Sequence, residues 1–108
     1  MPLSALDIAE LRQRLVSGVG PIDTEIVAEK ASSLGHHGRQ VEAAIAALEG
    51  HDENAGPAEA RLILVKQAAR AVWKYFVQRE ACGMRDHRDV ISFYRIPSDV
   101  LARLGAVD

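Results

Sequence analysis

The chain has 108 residues, 48% of them hydrophobic and 26% charged, which is the composition of one ordinary globular domain spanning 1–108. Its net charge of −2 argues against strong nonspecific attraction to nucleic acid or to an anionic membrane. A single cysteine excludes an internal disulfide and points to a reducing compartment; with no basic, apolar leader at the N-terminus, the expected location is the cytoplasm. No apolar run approaches the length of a membrane span.

Ser4 and Asp7 suit the start of a short amphipathic helix over about 4–17, with Ile8, Leu11 and Leu15 on one stripe. Gly18, Gly20 and Pro21 end it. A long helix is predicted over about 22–50. Gly35 and Gly38 are the obstacle, since each costs about 1 kcal/mol relative to alanine inside a helix. The periodicity nevertheless passes through them: Val27, Ala31, Leu34, Gly38, Val41, Ile45 and Leu48 alternate four and three apart without a slip. A polar turn follows, and Pro57 suits the first position of a third helix over about 57–83. Ala58, Leu62, Val65, Ala69, Val72 and Phe76 make its seam. Folded back on each other, the two seams place Gly38 opposite Ala69 and Ala31 opposite Phe76, alternating small and large.

The third helix has more apolar surface than one seam uses. Ile63, Leu64, Ala68, Ala71, Trp73 and Val77 lie off it. The first helix and the C-terminal segment can cover part of this second face, and the remainder is expected to meet a second copy, giving a homodimer through residues 57–83. Two short helices close the chain, Asp86 to about Tyr94 and Pro97 to Leu104. Their Phe93 or Tyr94, Ile96, Val100 and Leu104 are expected to fold back around Trp73 and Phe76. The fold class is all-α: a long antiparallel helical hairpin with short flanking helices, dimerising as a bundle.

Candidate chemistry is thin, and no catalytic, cofactor-binding or metal-ligating residue is assigned. Cys82 and His87 could make a nucleophile and base or half a metal site. Cys82, however, sits at a helix C-terminus, where the dipole opposes a thiolate, and no further ligand completes the set. His36 and His37 diverge as helix neighbours, and His51 is remote from them. Lys66, Arg70 and Lys74 form a basic stripe, read as a solvated face pairing with the acidic second helix through Glu42, with a phosphate-binding face as the alternative. Residues 1–56 carry a net −5 and residues 57–108 a net +3. Arg79 falls where the seam calls for an apolar residue. If buried it needs a partner, and Gln78, Glu80, Arg85 and Asp86 are near in sequence. Arg79, Glu80, Cys82, Arg85, Asp86 and His87 are therefore the candidate polar cluster, read as structural.

Residues 90–104 resemble a helix-turn-helix, with Val90, Tyr94, Ile96, Leu101 and Leu104 at its apolar positions. The stretch departs from that pattern at Ile91 and at Arg95, where glycine normally makes the turn, and its second helix offers only Arg103 as a cation. The run AVWKYFVQREACGMRDHRDVISFYRIPSDVLARLGA over 71–106 is similar to the C-terminal signature of a small uncharacterised bacterial family, a domain of unknown function. The central stretch from about Thr24 to Leu48 is similar too. The resemblance implies a helical bacterial protein and carries no functional residues with it. The function favoured is a non-enzymatic homodimeric interaction or structural protein, open to a further protein partner. The alternatives are a DNA-binding regulator using 86–104 and an enzyme or metal protein around Cys82 and His87.

Overall fold

The computed structural model describes Asp7 and residues 21–106, and the N-terminal helix expected over 4–17 otherwise lies outside them. Two long helices, α1 (Pro21–Glu49) and α2 (Glu59–Ala81), form an antiparallel hairpin followed by α3 (Arg88–Tyr94) and α4 (Ser98–Leu101). No strand occurs among the described residues. The long axis of 54 Å is set by α1, whose 29 residues span roughly 43 Å at the helical rise.

Helix α1 runs unbroken through Gly35 and Gly38, as its heptads require. Leu34, Val41, Ile45 and Leu48 are buried along it, facing Val65, Ala69, Val72 and Phe76 of α2. The outer end of the α2 seam differs from expectation: Ala58 precedes the helix and is exposed, and Leu62 is 38% exposed. Gly38 is also approached by two tyrosines. A Cβ there would lie 2.8 Å from the Tyr94 hydroxyl oxygen and 3.8 Å from the Tyr75 ring. The missing side chain makes room for a tyrosine arriving from α3, which offsets the cost of glycine in mid-helix.

Two reversals place the C-terminal segment. At the end of α2, Gly83 takes φ +86 while its N–H bonds the Glu80 carbonyl and the Met84 N–H bonds the Arg79 carbonyl, both at 2.9 Å. This is a Schellman cap, and it drops Met84 into the core at 1% exposure. The same pattern recurs after α3 with Arg95 in the left-handed position, φ 55 and ψ 48. Its N–H reaches the Ser92 carbonyl, and the Ile96 N–H reaches the Ile91 carbonyl. A β-carbon in this conformation costs about 1 kcal/mol, and burial of Ile96 and Val100 beyond the turn offsets it. Tyr94, rather than Phe93, turns inward, edge-on to Tyr75 at 5.8 Å; Phe93 is 41% exposed. Helix α4 is one turn long and continues as turns to Gly105, which has φ +76; a Cβ added there would lie 3.5 Å from the Trp73 ring.

Candidate functional site: a buried Asp7–Tyr75–Arg79 network

Arg79 is fully buried, as the seam position demands, and its charge is met from the far end of the chain. Its Nε donates to Asp7 Oδ1 at 3.0 Å, and Asp7 is itself only 1% exposed. The second carboxylate oxygen accepts the Tyr75 hydroxyl at 2.5 Å, and Tyr75 has no exposed surface. Arg79 Nη1 donates to the Asp86 carbonyl at 3.1 Å and meets His87 Nδ1 at 2.6 Å. The guanidinium carbon stands 6.0 Å from the Tyr75 ring centre. Of the candidates near it in sequence, Asp86 meets it through its backbone carbonyl, while the counter-charge comes from Asp7.

His87 extends the network to the surface. A guanidinium can only donate, so Nδ1 must accept, which leaves Nε2 carrying the proton that bonds Glu80 Oε2 at 2.9 Å. The imidazole also stacks on Phe76, with centroids 4.0 Å apart and planes 6° apart. With both nitrogens engaged, His87 has none left to act as base or ligand beside Cys82. Cys82 stands at the C-cap of α2, half-buried. Among the described residues no three of His, Cys, Asp and Glu gather as a metal ion would require.

Asp86 is exposed and clamped by Arg88, which reaches it with Nε at 3.0 Å and Nη2 at 2.6 Å, besides the backbone N–H at 3.1 Å. The Arg88 side chain and then its N–H hold the Asp86 carboxyl well below the usual carboxylate range. Such an exposed pair contributes little to stability. The expected helix start at Asp86 thus becomes a turn that leads into α3 at Arg88. Arg85 is exposed.

Tyr75 is the member that sequence reasoning did not single out. Burial first, then the hydrogen bond to Asp7 and its charge, raise the Tyr75 hydroxyl far above the ordinary tyrosine value. Tyr75 is thereby locked as a donor at any ordinary pH. Burial also raises Tyr94. The signal that could have found Tyr75 is its spacing one heptad beyond Ala68, another fully buried residue off the main seam.

The remaining candidates lie apart from this network. His36 meets Gln40 at 3.2 Å, while His37 Nδ1 is buried with no hydrogen-bond partner among the described residues. Burial chiefly, then His36 and Lys74, lowers the His37 pKa and keeps the ring neutral. Arg95 lines a hollow with Glu42 and Glu49, whereas Arg103 lines another with Lys66, Arg70 and Trp73. No helix among the described residues is long and apolar enough to cross a membrane.

Chemically, the network is a closed chain of donors and acceptors that ties Asp7 to the α2–α3 corner. Its core is sealed from solvent, and only Glu80 and the edge of His87 are open. No protein of curated function and no solved structure matches the chain. Residues 3–108 match a family of unknown function (DUF6665), as the signature over 71–106 leads one to expect, and the chain belongs to that family.

Proposed function

We propose that this protein is a non-enzymatic helical interaction module whose partner is a second copy of itself, met along the outward face of α2. The observation that carries the reading is the set of apolar side chains left facing solvent on that helix: Leu62 is 38%, Ile63 55%, Trp73 48% and Val77 49% exposed. Ile63 and Val77 lie on the side opposite Val65, Val72 and Arg79, out of reach of the hairpin core, with Leu62 and Trp73 on its flank. Exposed apolar groups scattered singly need no explanation, but several on one side of one helix mark an interface.

An isologous contact constrains how two copies fit. Ile63 and Val77 are two heptads apart, with Arg70 midway. An antiparallel pairing about Arg70 places Ile63 over Val77 of the partner subunit, and brings the cations Lys66, Arg70 and Lys74 of both copies together. Their repulsion is screened by salt, with a Debye length of about 10 Å at 0.1 M. Self-association through this face therefore strengthens with salt, whereas docking of an acidic partner would weaken.

Solution molar mass across a protein dilution series, at low and high salt, is the test. Replacing both Ile63 and Val77 by serine removes about 1 kcal/mol of apolar burial per side chain per copy, a weakening of roughly three orders of magnitude in the dimer constant. A single-chain mass at every concentration and salt sinks the proposal. So would a dimer indifferent to the double substitution.

A further inference from the structure

Both oxygens of the Asp7 carboxylate are met by donors from α2, Arg79 Nε at 3.0 Å and the Tyr75 hydroxyl at 2.5 Å. The two donors stand four residues apart, one turn along the same side of the helix. Each is also held by contacts that do not involve Asp7. Arg79 is anchored at its other end, where Nη1 donates to the Asp86 carbonyl at 3.1 Å and meets His87 Nδ1 at 2.6 Å. His87 is fixed in turn by Glu80 at 2.9 Å and by its stack on Phe76. The Tyr75 ring is set edge-on to Tyr94 at 5.8 Å. The α2–α3 corner therefore keeps both donors aimed at the place where the carboxylate lies.

Such a pair selects its ligand by chemistry and by size. Two donors placed to reach two oxygens of one planar group suit a carboxylate, and one buried guanidinium calls for one negative charge. Burial is the largest cause of the raised Tyr75 pKa, and it does not come from the carboxylate, so the hydroxyl remains a donor. Neither Tyr75 nor Arg79 has exposed surface, and bonds made out of water count for more. The space matches the side chain that fills it. A methylene with a carboxylate has the heavy atoms of acetate, and the carboxylate alone has those of formate. Replacing Asp7 by glycine empties the larger space, and replacing it by alanine empties the smaller one.

We propose that Tyr75 and Arg79 form a carboxylate-binding site in their own right, with Asp7 as its internal ligand. When that side chain is cut back, the site takes a small carboxylate from solution in its place. Arg79 points to the side of α2 away from Ile63 and Val77, so the site does not rest on self-association.

The experiment follows chemical denaturation of the whole chain carrying Asp7→Ala or Asp7→Gly, in formate and in acetate, with chloride holding the ionic strength constant. Formate should suit the alanine variant and acetate the glycine variant. Each matched pair should have a dissociation constant on the order of 1 mM, about the most that three or four heavy atoms supply. At roughly 100 mM of the matched acid the folded-to-unfolded ratio should then rise about a hundredfold. The wild-type chain, whose site is filled, should not respond. The Arg79 Nε–H resonance should move back toward its wild-type position as the acid binds. Refolding of an otherwise unfolded variant by its matched acid is the same result. A stabilisation that the wild type shares, that both variants show equally with both acids, or that persists with Arg79→Met added overturns the site. So does a variant that neither acid stabilises or refolds.

Discussion

Replacing Asp7 by asparagine is expected to remove about 3–5 kcal/mol of stability, because it keeps the shape but leaves the fully buried Arg79 without a counter-charge. Domains of this size are stable by about 5–15 kcal/mol, so the variant sits near the edge of folding. Chemical denaturation followed by circular dichroism measures the loss as a shift of midpoint. The double variant Asp7→Leu/Arg79→Met provides the control: removing both charges removes the uncompensated one, and most of the stability should return. Tyr75→Phe should cost about 1.5–3 kcal/mol alone, the worth of a hydrogen bond to a charged acceptor, and much less once Asp7 is gone. An Asp7→Asn protein with an unchanged midpoint refutes the view that this network holds the chain together.

Alkaline pH is the second large lever. Tyr75 and Tyr94 are the chain's only tyrosines, both are buried, and both have their hydroxyl pKa raised in the folded state. A raised folded value means that the stabilisation is complete below the unfolded tyrosine value near 10 and is lost as pH climbs toward the folded value. Above about pH 10 the unfolded chain releases the Tyr75 proton that the folded chain keeps, and Tyr94 adds to the loss in the same direction. Stability should therefore fall by roughly 1.4 kcal/mol per pH unit from Tyr75 alone. Tyrosinate absorbance should appear together with the loss of helical dichroism, and Tyr75→Phe should flatten the slope. Tyrosinate formed near pH 10 with the helices intact contradicts the burial assigned to both rings.

How much of this was legible beforehand follows from where each contact lies along the chain. The hairpin could be read because each helix carries its own periodic record: Val27 to Leu48 on one, Val65 to Phe76 on the other, with no slip at Gly35 or Gly38. Arg79 could be recognised as a misfit, since a cation stood in an apolar slot. Its partner could not, because nothing in local spacing links position 79 to position 7. Tyr75 was missed for a related reason. It belongs to a second buried stripe with Ala68, visible only once other elements are known to cover that side of α2. The tyrosine that fills the space at Gly38 comes from α3, and its direction depends on Arg95 adopting a backbone conformation that the sequence alone argues against.

The Asp7–Arg79 bond joins residues 72 positions apart, and that separation has a meaning in time as well as in space. The helices of the hairpin are neighbours across a short turn, so their contacts form with little loop entropy to overcome. Bringing Asp7 to the α2–α3 corner requires that hairpin, and the Schellman turn at Gly83 that presents the Asp86 carbonyl, to exist already. The ion pair is thus expected to form after the rate-limiting crossing and to break before the return one, which refolding and unfolding rates of Asp7→Asn would check. Weakening it leaves the refolding rate nearly unchanged while the folded protein opens faster, so its main contribution is to the lifetime of the native state.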